Sequence, residues 1–206
     1  MAAGDRRAKQ QVTRVGLLNN SRTPVDPLVV SAIQRQLDEH FLPVWNLSAD
    51  LYVGQNAGDI QECGYSCVVT DESDVPGDGG YHDVGTDGRP FARVFPDTIA
   101  RAGLEFSVAL SHEILEMVAD PWGNARVLYD CKNGSGALYK MEVCDPVQTS
   151  TYLIDGVPVS NFVTPQYFRQ DGQAPFDYLG ILQWPFSVAP YGRQMMMLVG
   201  QLGSWT

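Results

Sequence analysis

Apolar and polar positions change their spacing several times along the chain, and each change marks an element. In "VTRVGLL", Val12 to Leu18, β-branched and apolar residues crowd together and stop at the polar "NNS", which predicts a first strand. A helix should follow over about 26–41: Asp26 stands at the cap with Pro27 behind it, and Leu28, Val29, Ala32, Ile33, Gln36 and Leu37 keep the helical period. "ADLYVG" (49–54) and "YSCVVTDE" (65–72) predict two short strands, taken as neighbours. "DVPGDGGYHDVGTDGRP" is so rich in Gly, Pro and Asp that it reads as a surface loop, leading to an edge strand "FARVF", Phe91 to Phe95.

After a short turn at 97–102, weakened by Gly103, a second long helix is expected over about 104–119, with Pro121 as its stop. From 122 to 206 short apolar runs such as "ALYKMEVC" and "TYLIDGVPVSNFV" alternate with Gly and Pro, as in loops and hairpins folded back on a core. The pattern as a whole predicts an α+β fold in one domain over 1–206, with a flexible arm at 1–11.

Composition narrows the partners. Fourteen Lys and Arg against 24 Asp and Glu give a net charge of −10, which excludes broad nucleic-acid binding and disfavours anionic membranes. The basic cluster "RRAK", Arg6 to Lys9, falls in the arm. No run approaches the roughly 18 apolar residues of a membrane helix, and the first residues lack the apolar centre of a signal peptide. The expected location is therefore the cytoplasm, or the virion if the source is a phage, with thiols reduced. Cys63, Cys67, Cys131 and Cys144 do not have the spacing of a zinc ribbon, and a Cys131 to Cys144 bridge is the one pairing that position suggests.

The chemistry concentrates in "ALSHEILEMVADP", Ala109 to Pro121. His112 and Glu116 lie one turn apart on one face, Asp120 lies a turn further along it, and Glu113 is about 100° around. Val108, Leu110, Ile114, Leu115, Met117 and Val118 are apolar nearly all round, so the helix is expected to be buried. Two or three carboxylates close together in low dielectric must be neutralised, and a divalent cation does this directly. The competing reading pairs Glu113 and Glu116 with Arg93, Arg101 or Arg126 and makes His112 a core histidine.

"SHEILEMVADP", followed by "EVCDPV" at Glu142 to Val147, resembles zincin-type metallopeptidases. It is closer still to a group of bacterial and phage proteins carrying SHExLExxxDP and EVCDP, and the plant exordium-like proteins show a similar HExxE. The likeness extends to "QLDEHFLPVW", "GYHD", "FARVF" and "VSNFV". It implies a zincin-like mixed sheet, an edge strand lining a cleft, and an active-site helix just after it; the periodicity gives the same order of elements independently. The resemblance makes His112 and Glu116 metal ligands and Glu113 the general base toward water. Trp122 occupies the position where a relative would supply a third ligand and cannot ligate, so Glu142 and Asp145 are the candidates, with Asp120 next. One imidazole and two carboxylates suit zinc and also manganese, and a further carboxylate would favour calcium.

Carboxylate in place of imidazole makes the ion a poorer Lewis acid. Two functions therefore stand: a metal-dependent hydrolase acting on a polypeptide, or a non-catalytic phage or bacterial assembly protein with a structural ion and a protein partner. Elsewhere, His82 reads as a solvated loop residue, His40 as a complement to the first helix's dipole, and Asp71, Glu72, Asp74, Asp78, Asp83 and Asp87 as a solvated acidic loop. Tyr139, Tyr152, Phe162, Tyr167, Phe168, Phe176, Tyr178, Trp184 and Phe186 read mostly as core anchors, and "RQMMML" as a terminal strand or buried filler.

Overall fold

The structure is a computed structural model that describes residues 12–132 and 135–199. The expected arm at 1–11, with its basic cluster, lies outside the described residues. The elements are β1 (Thr13–Asn19), α1 (Pro27–Arg35), a π-helical segment (Gln36–Phe41), α2 (Leu42–Trp45), β2 (Ala49–Gly54), β3 (Tyr65–Val69), β4 (Gly80–Val84) and β5 (Pro90–Val94), then α3 (Pro96–Arg101) and α4 (Phe106–Ala119). After these come β6 (Arg126–Asp130), β7 (Gly136–Lys140), β8 (Thr151–Ile154), β9 (Val157–Ser160) and β10 (Met196–Val199). This is an α+β fold built on a mixed sheet of five strands in the order β2-β1-β3-β5-β4.

Strands β2, β1, β3 and β5 run parallel, and β4 alone is antiparallel, paired to β5. Two expectations are corrected here. The strands at 49–54 and 65–72 do not touch, because β1 lies between them: its Val15, Leu17 and Leu18 are buried and require covering on both faces, which a central parallel strand supplies. "FARVF" is not the edge either; the edge is β4, inside the stretch read as a surface loop. Its hairpin to β5 turns at Asp87 and Gly88, where Gly88 has a φ of 79° and the Asp87 carboxylate accepts from the Arg89 amide.

The first helix begins as expected, with the Asp26 carboxylate accepting from the Leu28 amide at 2.8 Å. It ends four residues later than the expected limit of 41, because Leu42 continues it by donating to Leu37 five residues back. That widened turn accommodates Pro43, which has no amide to offer, and Asn46 then stops the helix at a φ of 52°. The second long helix, α4, lies against β4, β5 and β9. Ser107 Oγ donates to the Pro158 carbonyl and Ser111 Oγ accepts from the Ser160 amide, which fix α4 to β9.

The residues after 122 form a three-stranded sheet β10-β7-β6 and a β8–β9 hairpin, joined by irregular chain. One apolar cluster runs through both parts of the molecule, from Val15, Leu17 and Ile33 to Ile114, Val143, Phe162 and Tyr167. Trp184 departs from the expected anchors and is exposed, as are Met195, Met196, Met197 and Leu198, so the methionine run is a surface strand and not buried filler. The four cysteines are free, with Cys131 exposed and Cys144 buried, so the suggested bridge is absent.

Candidate metal centre

Three segments deliver ionisable groups to one place. Helix α4 supplies His112, Glu113 and Glu116, the chain after β7 supplies Glu142 and Asp145, and edge strand β4 supplies His82. The second segment is held by Glu116 itself, whose Oε1 accepts from the amides of Cys144 at 3.0 Å and Asp145 at 3.2 Å. Strand β4 comes close because residue 80 is glycine: a Cβ there would lie 2.8 Å from Glu113 Cγ.

The remaining carboxylate oxygen of Glu116, Oε2, faces both imidazoles, at 3.3 Å from His112 Nε2 and 3.6 Å from His82 Nδ1. His112 Nε2 also faces Asp145 Oδ1 at 3.5 Å, and His82 Nδ1 faces Glu113 Oε2 at 3.7 Å. These separations exceed the hydrogen-bond range of about 2.7–3.2 Å. They sit close to another length: two donors bound tetrahedrally to one ion at about 2.0–2.1 Å lie about 3.3–3.4 Å apart. His112, Glu116 and Asp145 form one group that could hold a metal ion, and His82, Glu113 and Glu116 form another.

None of the three arginines that the competing reading names forms an ion pair or hydrogen bond with Glu113 or Glu116. Arg93 pairs with Asp74, Arg101 bonds the Asp97 carbonyl and Thr98, and Arg126 bonds the carbonyls of Gly123 and Ala125. Lys140 pairs with Glu142, and an exposed Arg193 reaches Asp145 at 3.2 Å. Two buried polar atoms of the cluster have no hydrogen-bond partner, His82 Nε2 and Glu142 Oε2, which face each other at 3.6 Å. An orphaned donor and acceptor at this depth cost free energy unless something else is bound there.

Electrostatics follow from this crowding. Burial opposes charge on either imidazole, yet Glu113, Glu116 and Glu142 raise His82 above the ordinary histidine value, and Glu116 with Asp145 raises His112 well above it. Burial lifts Glu113, with His82 and His112 pulling it back. Burial and then Glu116 push Glu142 up to about 7. Glu116 goes the other way: burial would raise it, but His112, His82 and the Cys144 amide hold it below the usual carboxylate range. The carboxylate held below its ordinary range is the one that faces both imidazoles.

Of the residues singled out from sequence, the fold unites His112, Glu113, Glu116, Glu142 and Asp145 and leaves out Asp120. Asp120 is buried, but its oxygens accept from the amides of Asn124 and Ala125 and form the turn into β6. Its position a turn beyond Glu116 fails because the helix ends at Ala119 and Asp120 leaves the helical path at a φ of −132°. His82 is corrected in the opposite sense: its side chain is only 4% exposed and central to the cluster. The signal for it was a five-residue strand followed by "TDG" and a second strand, the pattern of a hairpin, hidden by the Gly and Asp around it.

No helix of the described residues is long and apolar enough to cross a membrane. Comparison with protein-family models, with curated proteins and with solved structures finds no match to this chain.

Proposed function

We propose that this chain is a metal-dependent hydrolase of zincin-like type, a peptidase holding zinc between His112, Glu116 and Asp145. The observation that carries it is the triangle of His112 Nε2, Glu116 Oε2 and Asp145 Oδ1, with its 3.3 and 3.5 Å sides set for a shared ion rather than for hydrogen bonds. His112 and Asp145 are the more open side chains of the cluster, at 13% and 18% exposure, and a catalytic ion needs an open position there. Nitrogen in the donor set favours zinc over calcium, which prefers oxygen ligands, and manganese remains compatible. Such an ion supplies Lewis-acid polarisation of a scissile carbonyl and acidifies a nearby water.

The chain's own groups supply the rest. Glu113, raised by burial, accepts the proton of the attacking water and returns it to the leaving amine. Glu116 stays ionised, held by two backbone amides. Strand β4 leaves one backbone edge unpaired in the five-stranded sheet, beside the cluster, and an extended polypeptide is the ligand such an edge accepts. That is the basis for a peptide substrate.

A second reading, a structural ion in a non-catalytic assembly protein, is favoured by one observation. Glu113 is nine-tenths buried, and a cleft of about 360 Å³ lies elsewhere, among Cys63, Tyr65, Arg89 and Phe91. Metal analysis of purified protein and cleavage of fluorescein-labelled casein separate the two. The hydrolase reading expects bound zinc, loss of it in His112→Ala, and retained zinc with cleavage abolished in Glu113→Gln. Zinc without cleavage in the wild type supports the structural reading, and an absence of zinc overturns both.

A further inference from the structure

Glu116 Oε2 belongs to two donor triangles, of which the one with His112 and Asp145 is the more open. The other consists of His82 Nδ1, Glu113 Oε2 and Glu116 Oε2, with sides of 3.6 and 3.7 Å from the imidazole to the two carboxylates. It is the deeper triangle, with side chains 4%, 10% and 5% exposed. We propose that this triangle is a second cation site, and that an ion bound there shares Glu116 with the first and takes Glu113 out of use as a base.

Three features of the cluster support it. First, the far side of the imidazole is already provided for: His82 Nε2 and Glu142 Oε2, both buried and with no other hydrogen-bond partner, face each other. When a histidine ligates through one ring nitrogen, the other normally donates to a carboxylate, which fixes the tautomer. With His82 ligating through Nδ1, its Nε2–H points at Glu142 Oε2, now 3.6 Å away, and Glu142 is anchored from behind by Lys140.

Second, the charge is unevenly compensated. Lys140 pairs with Glu142 and a surface arginine with Asp145, so an ion at the outer triangle leaves Glu113, buried and facing His82, as the one carboxylate of the four with neither an ion nor a lysine or arginine beside it among the described residues. Third, the approach is built for it: Gly80 has no side chain at the point where a Cβ would collide with Glu113 Cγ and Oε1, so β4 sits close enough to bring His82 across the helix.

The two positions differ in kind. The outer one is open and can present a free coordination position; the inner one is closed on every side by protein groups. Filling it converts Glu113 from proton acceptor to ligand, so the second ion inhibits, in the concentration range in which it binds. The site rests on the metal-binding part of the function proposed above and not on its hydrolytic part.

Zinc stoichiometry tests it directly. Of the three histidines, His40 stacks on Tyr178 far along the first helix, so counts are not confused by a stray imidazole. Chelator-stripped protein dialysed against graded zinc and assayed by mass spectrometry is expected to take up two ions in separate steps. In His82→Gln the weaker step is lost while the tighter one stays; in His112→Ala the tighter step is the one lost. Protein loaded with manganese should show an exchange-coupled electron paramagnetic resonance spectrum, since metals bridged by one carboxylate sit about 3.5–4 Å apart, and an uncoupled spectrum in His82→Gln. Uptake of one zinc only, or two in both wild type and His82→Gln, or an uncoupled manganese pair, overturns the second site and leaves the first standing. Uptake of none overturns both.

Discussion

At the scale of single residues, the centre is defined by which carboxylates are already occupied. Asp120 has its oxygens committed to the Asn124 and Ala125 amides, so Asp120→Ala should cost about 1–3 kcal/mol in urea unfolding by removing the acceptor of both turn amides, with metal content unchanged. Glu116 is committed on one oxygen only and presents the other to both imidazoles. Gly80→Ala acts through packing instead. The added methyl would lie within 3.0 Å of Glu113 and of the Arg93 carbonyl, so Glu113 must move, and casein cleavage should fall while the tighter zinc is retained. His112, Glu113 and Glu116 were legible because one helix period sets their mutual placement. His82, Glu142 and Asp145 arrive from elements far away in the chain, and nothing local to them specifies the meeting.

Among the elements, the first helix shows how a local rule gives way. Apolar spacing predicted it to about 41, but the π-helical turn carries it past Pro43 to Trp45. His40 sits in that turn and, rather than complementing a helix end, stacks on Tyr178 at 4.8 Å with Nδ1 3.1 Å from the Tyr152 hydroxyl. Burial lowers its pKa, with Glu39 pulling upward and Arg35 downward. The folded state thus favours the neutral ring. Its contribution is present above the ordinary histidine value and is lost as the pH falls through the lowered one. The gap in melting temperature between wild type and His40→Gln, measured with chelator present, should accordingly narrow from about pH 7 to about pH 5. Strands β1, β2 and β3 were legible from β-branched runs, whereas β4 was masked by turn-forming neighbours although its hairpin turn carried the Asp-Gly signal.

For the molecule as a whole, the centre and the core are one structural problem. Phe162 is fully buried in the main apolar cluster, and the Val163 amide next to it donates to the Val143 carbonyl at 2.7 Å, in the segment that carries Glu142 and Asp145. Phe162→Ala should cost about 3–5 kcal/mol and also weaken zinc, because the cavity loosens the segment bearing Asp145, a ligand of the proposed site. Conversely, zinc held at about 100 times its dissociation constant should stabilise the fold by about 2.7 kcal/mol, read as a rise in the urea midpoint that chelator reverses and that His112→Ala lacks.

The sequence by itself determined the α+β class, both long helices and the His112–Glu113–Glu116 stripe, since these depend on periodicities of the chain that act over a few residues. Strand order, the antiparallel edge at β4, the recruitment of His82 and Asp145 and the exclusion of Asp120 were decided only in the tertiary structure. Each depends on backbone pairing and burial between segments separated by tens of residues, and on which polar groups the fold satisfies first; neither is encoded in spacing along the chain.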